Sequence, residues 1–300
     1  MATAGFAGTH VAVVTPMRPG GEIDWQAWSR LVTLHRENGT DGLVVCGTTG
    51  ESPTISDAEL RELVQRALSQ AAGRLRILAG VGTNSTAATV ARVREFSQLD
   101  VDGLLLVTPA YNRPTQEGLY RHFEAAAAAS TKPVILYNVP GRTAVDLLPE
   151  TAARLAQLPR IVALKEAVDS MQRIRDLKAQ CPAHFQILSG DDATAREAVA
   201  AGASGVISVT ANVAPAQMSA MIAAALRGDH ALATQLDARL AGLHRQLFVE
   251  ANPIPVKWAL QRMGLMDGAL RLPLTELSER YHESVAAALR QADIPLAAAA

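Results

Sequence analysis

The chain alternates between short apolar runs and longer stretches with helical spacing. The runs HVAVVTP, GLVVCGTTG, RILAGVG, GLLLVTP, PVILYNVP, IVALKEA, FQILSG and GVISVT are rich in valine, isoleucine and leucine. They are continuously apolar rather than alternating, which is the pattern of parallel strands covered on one face by helices and packed inward on the other. Their starts fall about 28 residues apart, the length of one strand, one crossover helix and two short loops. Eight such units predict a closed (β/α)8 TIM barrel.

Punctuation along the chain supports this register. Ser56 followed by Glu59 has the form of a capping box, and Pro215 falls where a first-turn proline is tolerated. Strand signals stop near residue 227, which predicts a catalytic barrel over residues 1–227 and a helical extension over 228–300. ALATQLDARLAGLHRQLF, PIPVKWALQRMG and LTELSERYHESVAAALRQ carry helical patterns, so three helices are expected there, with Gly264 and Gly268 as stops. The alanine runs at 125–129 and 297–300 read as helix former and frayed tail.

Composition narrows the chemistry. Three hundred residues with 49% hydrophobic content suffice for one large domain or two modest ones, and length alone does not decide between them. A formal net charge of -1, with basic and acidic residues interleaved, leaves no basic stripe for nucleic acid. The N-terminus lacks a charged segment followed by an apolar core, and no run approaches the roughly 20 apolar residues of a membrane span. A cytoplasmic protein is expected. Cys46 and Cys181 are far apart and read as reduced structural thiols, and the seven histidines form no H-x-x-x-H pair, so no metal is expected. GTTGES lacks the Gly-Lys-Ser/Thr of a phosphate-binding loop, and AGVGTNS lacks the third glycine of a dinucleotide fingerprint, so neither of those two sites is expected.

Polar residues that end apolar strands mark the catalytic face of a barrel. The sharpest is Lys165 in IVALKEA, because a lysine within an apolar strand points inward and carries a desolvation cost. Burial favours the neutral amine, the nucleophile that attacks a ketone carbonyl. The alternative is an ion pair with Glu166, weakened because adjacent strand residues face opposite ways. Tyr137 ends the neighbouring strand, where a phenol can shuttle protons or simply cap the barrel core. Thr48 and Thr49 lie in a glycine-flanked loop whose hydroxyls and N–H groups can hold a carboxylate. Arg142 follows a Pro-Gly pair read as a turn that projects its guanidinium over the barrel mouth, though a solvated loop arginine is an equal reading. Asp191 and Asp192 after LSG are read as a helix N-cap rather than a catalytic carboxylate pair.

GTTGES, VTPAYNRPTQEG, ILYNVPGRT, VALKEA, LSGDD, GVISVTAN and NPIPVKWAL resemble, in order and spacing, the dihydrodipicolinate synthase (4-hydroxy-tetrahydrodipicolinate synthase) family of the N-acetylneuraminate lyase superfamily. The resemblance covers nearly the whole chain. It implies a Schiff-base lyase of class I aldolase type that needs no external cofactor and joins pyruvate to L-aspartate 4-semialdehyde in lysine and diaminopimelate biosynthesis. It further implies that Lys165 carries the imine, that Thr49, Tyr137 and Tyr111 form a proton relay, and that Tyr111 acts across a tight dimer, usually within a homotetramer. Thr48 and Thr49 match carboxylate-binding positions, Arg142 the grip on the semialdehyde carboxylate, and Gly190 and Ile207 backbone contacts near pyruvate. Asn252 is taken as structural. Lysine-inhibited members line a regulatory pocket with polar and aromatic groups; here the matching positions hold Ser52, Asp57, Leu60, Asn84, Ala88 and Ala110, so weak or absent feedback is expected. Two alternatives stay open: a sibling aldolase, dehydratase or deaminase acting on another 2-keto acid, and a catalytically silent barrel that binds rather than reacts.

Overall fold

A computed structural model describes residues 5–297. Strands β1 (Gly8–Ala12), β2 (Gly42–Val45), β3 (Arg76–Gly80), β4 (Gly103–Val107), β5 (Val134–Asn138), β6 (Ile161–Glu166), β7 (Gln186–Ser189) and β8 (Gly205–Ser208) begin within two residues of the apolar runs, each of which continues past its strand into the following loop. They close into a single barrel in sequence order. Every pairing is parallel, and the ring is sealed by β8 against β1, with His10 opposite Ile207. The seam is tight: a side chain at Gly205 would place its Cβ 2.0 Å from the Gly8 carbonyl oxygen, so only glycine allows the closure.

The intervening helices are α1 (Trp25–Glu37), α2 (Asp57–Ala71), α3 (Thr86–Phe96), α4 (Gln116–Ala128), α5 (Pro140–Thr143), α6 (Pro149–Leu155), α7 (Met171–Gln180), α8 (Ala195–Ala200) and α9 (Pro215–Leu226). Strand alternation divides the apolar residues into two cores. Val11, Leu43, Ile77, Leu104, Leu136 and Leu164 face the helices, whereas Ala12, Val44, Leu78, Leu105, Ile135, Ala163, Leu188 and Ile207 fill the barrel. Both faces of each strand are therefore buried, which is why the sequence shows runs without alternation. Phe6 plugs the floor, its backbone N–H donating to Gln186 Oε1 at 2.5 Å.

Local signals act as expected at two positions. Ser56 and Glu59 form a full capping box at the start of α2, and Pro215 opens α9. Beyond the barrel repeat lie α10 (His230–Gln246), α11 (Ile254–Arg262) and α12 (His282–Gln291). Gly264 ends α11 with φ +73, but Gly268 lies within a connecting loop and stops no helix. The third helix is shorter than its periodicity suggested. LTELS is irregular, Glu279–Tyr281 forms one 3-10 turn, and regular helix begins only at His282. The backbone there bonds to side chains instead of to itself: Ser278 N–H donates to Glu250 at 3.3 Å, and Leu277 C=O meets His282 Nε2 at 3.0 Å. Residues 125–128 lie within α4, Ala297 N–H donates to Arg262 C=O, and 298–300 lie outside the described residues. Among the described residues no helix is long and apolar enough to cross a membrane.

Candidate active site

Lys165 is the penultimate residue of β6, and strand alternation turns it into the barrel while Glu166 turns out. It is 5% exposed, and its Nζ lies 4.2 Å from the centre of the Tyr137 ring. The two residues are direct partners across β5 and β6, so ladder register alone places phenol beside amine. Gly190, just past β7, borders the same amine. A Cβ there would stand 3.0 Å from Lys165 Cε and 2.9 Å from Ala167 Cβ, so glycine leaves the room in which a bound carbonyl could reach Nζ. Ile207 lies in the inner core on β8. The ion pair considered for Lys165 and Glu166 is not formed. Glu166 instead accepts from Asn138 Nδ2 and Val168 N–H on the outer face, where burial pushes its carboxyl up to about 7.

The β2–α2 loop supplies the second wall. Cys46 and Glu51 take positive φ values of +58 and +59, bracketing a turn in which Gly50 N–H donates to Gly47 C=O and Glu51 N–H to Thr48 C=O. Neither the Thr48 nor the Thr49 N–H donates to an acceptor among the described residues. Thr49 is 1% exposed, and its hydroxyl accepts from Asn252 Nδ2 at 2.9 Å. Glu51 and Lys257 form a fully buried ion pair at 2.6 Å, with Arg271 N–H completing the Glu51 carboxylate at 3.1 Å. Burial pulls the Lys257 ammonium down from its ordinary range while Glu51 opposes it. Cys46 is buried and pushed up to about 12 by desolvation, which keeps it a protonated thiol at neutral pH.

Arg142 is exposed in α5, so the Pro-Gly pair opens a short helix rather than a free turn. Its Nη2 donates to the Asn252 carbonyl oxygen at 3.2 Å. Asn252 thus touches Thr49 with its side chain and Arg142 with its backbone, a junction at the heart of the site where sequence reading had seen only structure. The NPIPVKW segment carried the signal, since it retains an asparagine in an otherwise apolar stretch. Tyr111 is not brought to Lys165 within one chain. It is 91% exposed with φ +76, its N–H donating to Thr143 C=O at 3.3 Å. Thr143 also accepts from Thr108 Oγ1 at 3.1 Å, so the Tyr111 and Arg142 loops share one buried contact.

Asp191 and Asp192 do not N-cap a helix as expected. Asp191 Oδ2 accepts from Thr194 N–H at 3.0 Å ahead of α8, whose cap residue Thr194 makes no side-chain bond to the helix. Asp192 Oδ2 crosses to the next loop and accepts from Val209 and Thr210 N–H at 2.8 and 2.9 Å, fastening the end of β8. Its carboxylate thus satisfies two backbone donors at the start of a 3-10 turn, Thr210–Asn212, that have no partner within that turn. Among the described residues no three His, Cys, Asp or Glu side chains cluster as ligands of a metal ion.

A buried amine under a phenol, a loop with two open backbone N–H groups and a guanidinium at the rim form a site that can take a 2-keto acid as an imine and hold a second carboxylate above it. The chain matches the Dihydrodipicolinate synthetase family over residues 5–292. It is 53% identical over 289 residues to the 4-hydroxy-tetrahydrodipicolinate synthase of Azoarcus sp., covering 96% of this chain and 99% of that one. It is 52% identical over 291 residues to the protein of that name from Thioalkalivibrio sulfidiphilus, covering 97% and 99%. The chloride-inhibited dihydrodipicolinate synthase of Acinetobacter baumannii, solved in complex with pyruvate, superposes with a TM-score of 0.95 at 47% identity, covering 97% of this chain and 100% of that one. With its barrel, its inward lysine and this likeness along nearly its full length, the chain belongs to the dihydrodipicolinate synthetase family.

Proposed function

We propose that the protein is a cytoplasmic 4-hydroxy-tetrahydrodipicolinate synthase that condenses pyruvate with L-aspartate 4-semialdehyde. The observation that carries this reading is Lys165, a buried amine 4.2 Å from the Tyr137 ring, in a chain 53% identical to a synthase of that name. Lys165 Nζ attacks the pyruvate carbonyl and expels water, giving a protonated imine. Thr48 and Thr49 hold the pyruvate carboxylate, with Gly190 and Ile207 offering backbone contacts beside it. Tyr137, Thr49 and a Tyr111 from the partner protomer carry the protons that enter and leave. Loss of a methyl proton gives the enamine, which attacks the aldehyde carbon while Arg142 grips that substrate's carboxylate. The amine of the semialdehyde then displaces Lys165 and closes the ring, so one water leaves per product and the lysine is regenerated. The active unit is a homodimer, two of which form a tetramer. Residues 1–227 supply the catalytic barrel and 228–300 the helical extension that supports it.

The test is the initial rate of pyruvate consumption with L-aspartate 4-semialdehyde, beside borohydride trapping of the pyruvate imine. Wild type should react and form the adduct, and Lys165→Ala should do neither. A trappable imine without turnover would reassign the protein to a sibling aldolase. Absence of both would leave a binding barrel. L-lysine should inhibit weakly or not at all, and half-maximal inhibition below about 1 mM, the weak-binding end of the affinity scale, would overturn that expectation.

A further inference from the structure

Glu166 is next to the reactive lysine in sequence, but it lies on the other side of the strand. It is 1% exposed, with Asp146 and Arg173 the charged groups facing it. Both its oxygens accept from Asn138 Nδ2 at 3.1 Å, and Oε1 also accepts from Val168 N–H at 2.9 Å. Asn138 is itself fully buried at the end of β5. The same Nδ2 donates to Asp146 Oδ1 at 2.7 Å, and Asn138 Oδ1 accepts from Leu147 N–H at 2.9 Å. One side chain at residue 138 therefore grips both 146 and 147, closing the intervening segment into a loop whose middle carries Arg142. Arg173 of α7 holds the same far end, pairing with Asp146 and donating to Leu147 C=O at 3.3 Å. Gln116 braces it from α4, donating to Asp146 C=O at 2.7 Å.

We propose that Glu166 is a positioning residue: by orienting the Asn138 amide it fixes the segment 139–147 and so aims Arg142 at the carboxylate of the second substrate. The inference rests on the proposed function and extends it to a residue that touches neither substrate. Asn138 has one amide and needs its nitrogen toward two carboxylates and its oxygen toward Leu147 N–H, an orientation that a carboxylate at 166 enforces and a neutral amide would not. Because Glu166 faces away from the barrel, its influence reaches the semialdehyde and bypasses the imine. The backbone is common to both sides, since Gly190 N–H donates to Glu166 C=O at 2.7 Å, but a side-chain substitution leaves that bond in place.

The test uses the full chain at about pH 8, where the Glu166 carboxyl, raised to about 7, is ionised, with Glu166→Gln, which sets an N–H donor against the Asn138 amide without changing volume. KM for L-aspartate 4-semialdehyde should rise about tenfold, the factor a lost buried charged hydrogen bond is worth. KM for pyruvate and the yield of borohydride-trapped imine should stay within about twofold, the scatter of additive, uncoupled sites. In an Arg142→Ala background, where the grip is already gone, Glu166→Gln should raise the semialdehyde KM no further. Equal increases in both KM values, or effects that add to those of Arg142→Ala, would reduce Glu166 to a general structural role and overturn the inference. If Glu166→Gln does not fold, the same split is read from Glu166→Asp, which keeps the charge but withdraws it from Asn138. An active wild type with unsplit variants defeats this inference alone; a wild type that makes the imine but ignores the semialdehyde defeats the proposed second substrate and this inference together.

Discussion

At the scale of single residues, one strand position separates chemistry from support. Lys165 was legible because its one bland explanation, an ion pair with Glu166, conflicts with strand alternation, whereas Glu166 was read only as that unlikely partner and its own contacts on the outer face had no local signal. Asn252 escaped for a different reason: its partners Thr49 and Arg142 are more than a hundred positions away, and no local pattern encodes so distant a contact. Glu166 also makes a prediction about stability. Its carboxyl is raised from the ordinary 4.5 to about 7 by burial, so the folded chain keeps a proton that the unfolded chain releases between those values. Protons bound by the native state exceed those bound by the unfolded state across that window. Stability therefore falls as pH rises from about 4.5 to about 7, and is constant above it. Glu166→Gln removes the titration. The unfolding free energy of the variant relative to wild type, from urea titrations, should improve between about pH 5 and about pH 7.5 by up to about 3 kcal/mol, on top of any fixed offset. A difference that does not vary with pH would show that Glu166 titrates normally.

Among the elements, the strand starts were recoverable to within two residues because both faces of each strand are buried and their composition says so without reference to partners, whereas the apolar runs overshoot the strand ends by up to five residues. The end of the chain was less so. Residues 274–278 have the spacing of a helix, but Glu250 and His282 side chains satisfy their backbone, and that competition is invisible to periodicity. Helix α11 illustrates how the extension acts on the barrel. It carries Lys257 beneath the β2–α2 loop, where the ammonium neutralises Glu51 in a turn whose backbone is already in the left-handed region. Lys257→Met should lower unfolding free energy by about 3–5 kcal/mol in urea titrations, since it strands a buried carboxylate. Adding Glu51→Gln should restore much of that loss, as both charges then leave together. If the double variant were no better than the single, the pair would not be the element joining loop to helix.

The whole molecule leaves one predicted residue outside its own site. Tyr111 projects from the rim, 91% exposed, while the groups it is expected to serve lie inside the barrel mouth. The sequence named this tyrosine through family likeness, but a single chain has no pattern that distinguishes a side chain lent to a neighbour from one facing water. The arrangement predicts complementation. Tyr111→Phe and Lys165→Ala homo-oligomers should each be nearly inactive. Mixed subunits, unfolded and refolded together, should regain activity, because some sites then combine an intact lysine with a partner's intact tyrosine. Mixtures as silent as their parents would confine the relay to one chain.

The contact between Thr49 and Asn252 spans 203 positions, and it sets a schedule for synthesis. The chain leaves the ribosome amino end first, at roughly 5–20 residues each second. Every strand, and the reactive lysine itself, emerges before residue 252, so a nascent barrel carries its nucleophile for several seconds without the asparagine that orients Thr49 or the lysine that steadies Glu51. Translation thus delivers the amine early and the means to use it late, and a chain released before its final helices would carry the reactive group without a finished pocket around it.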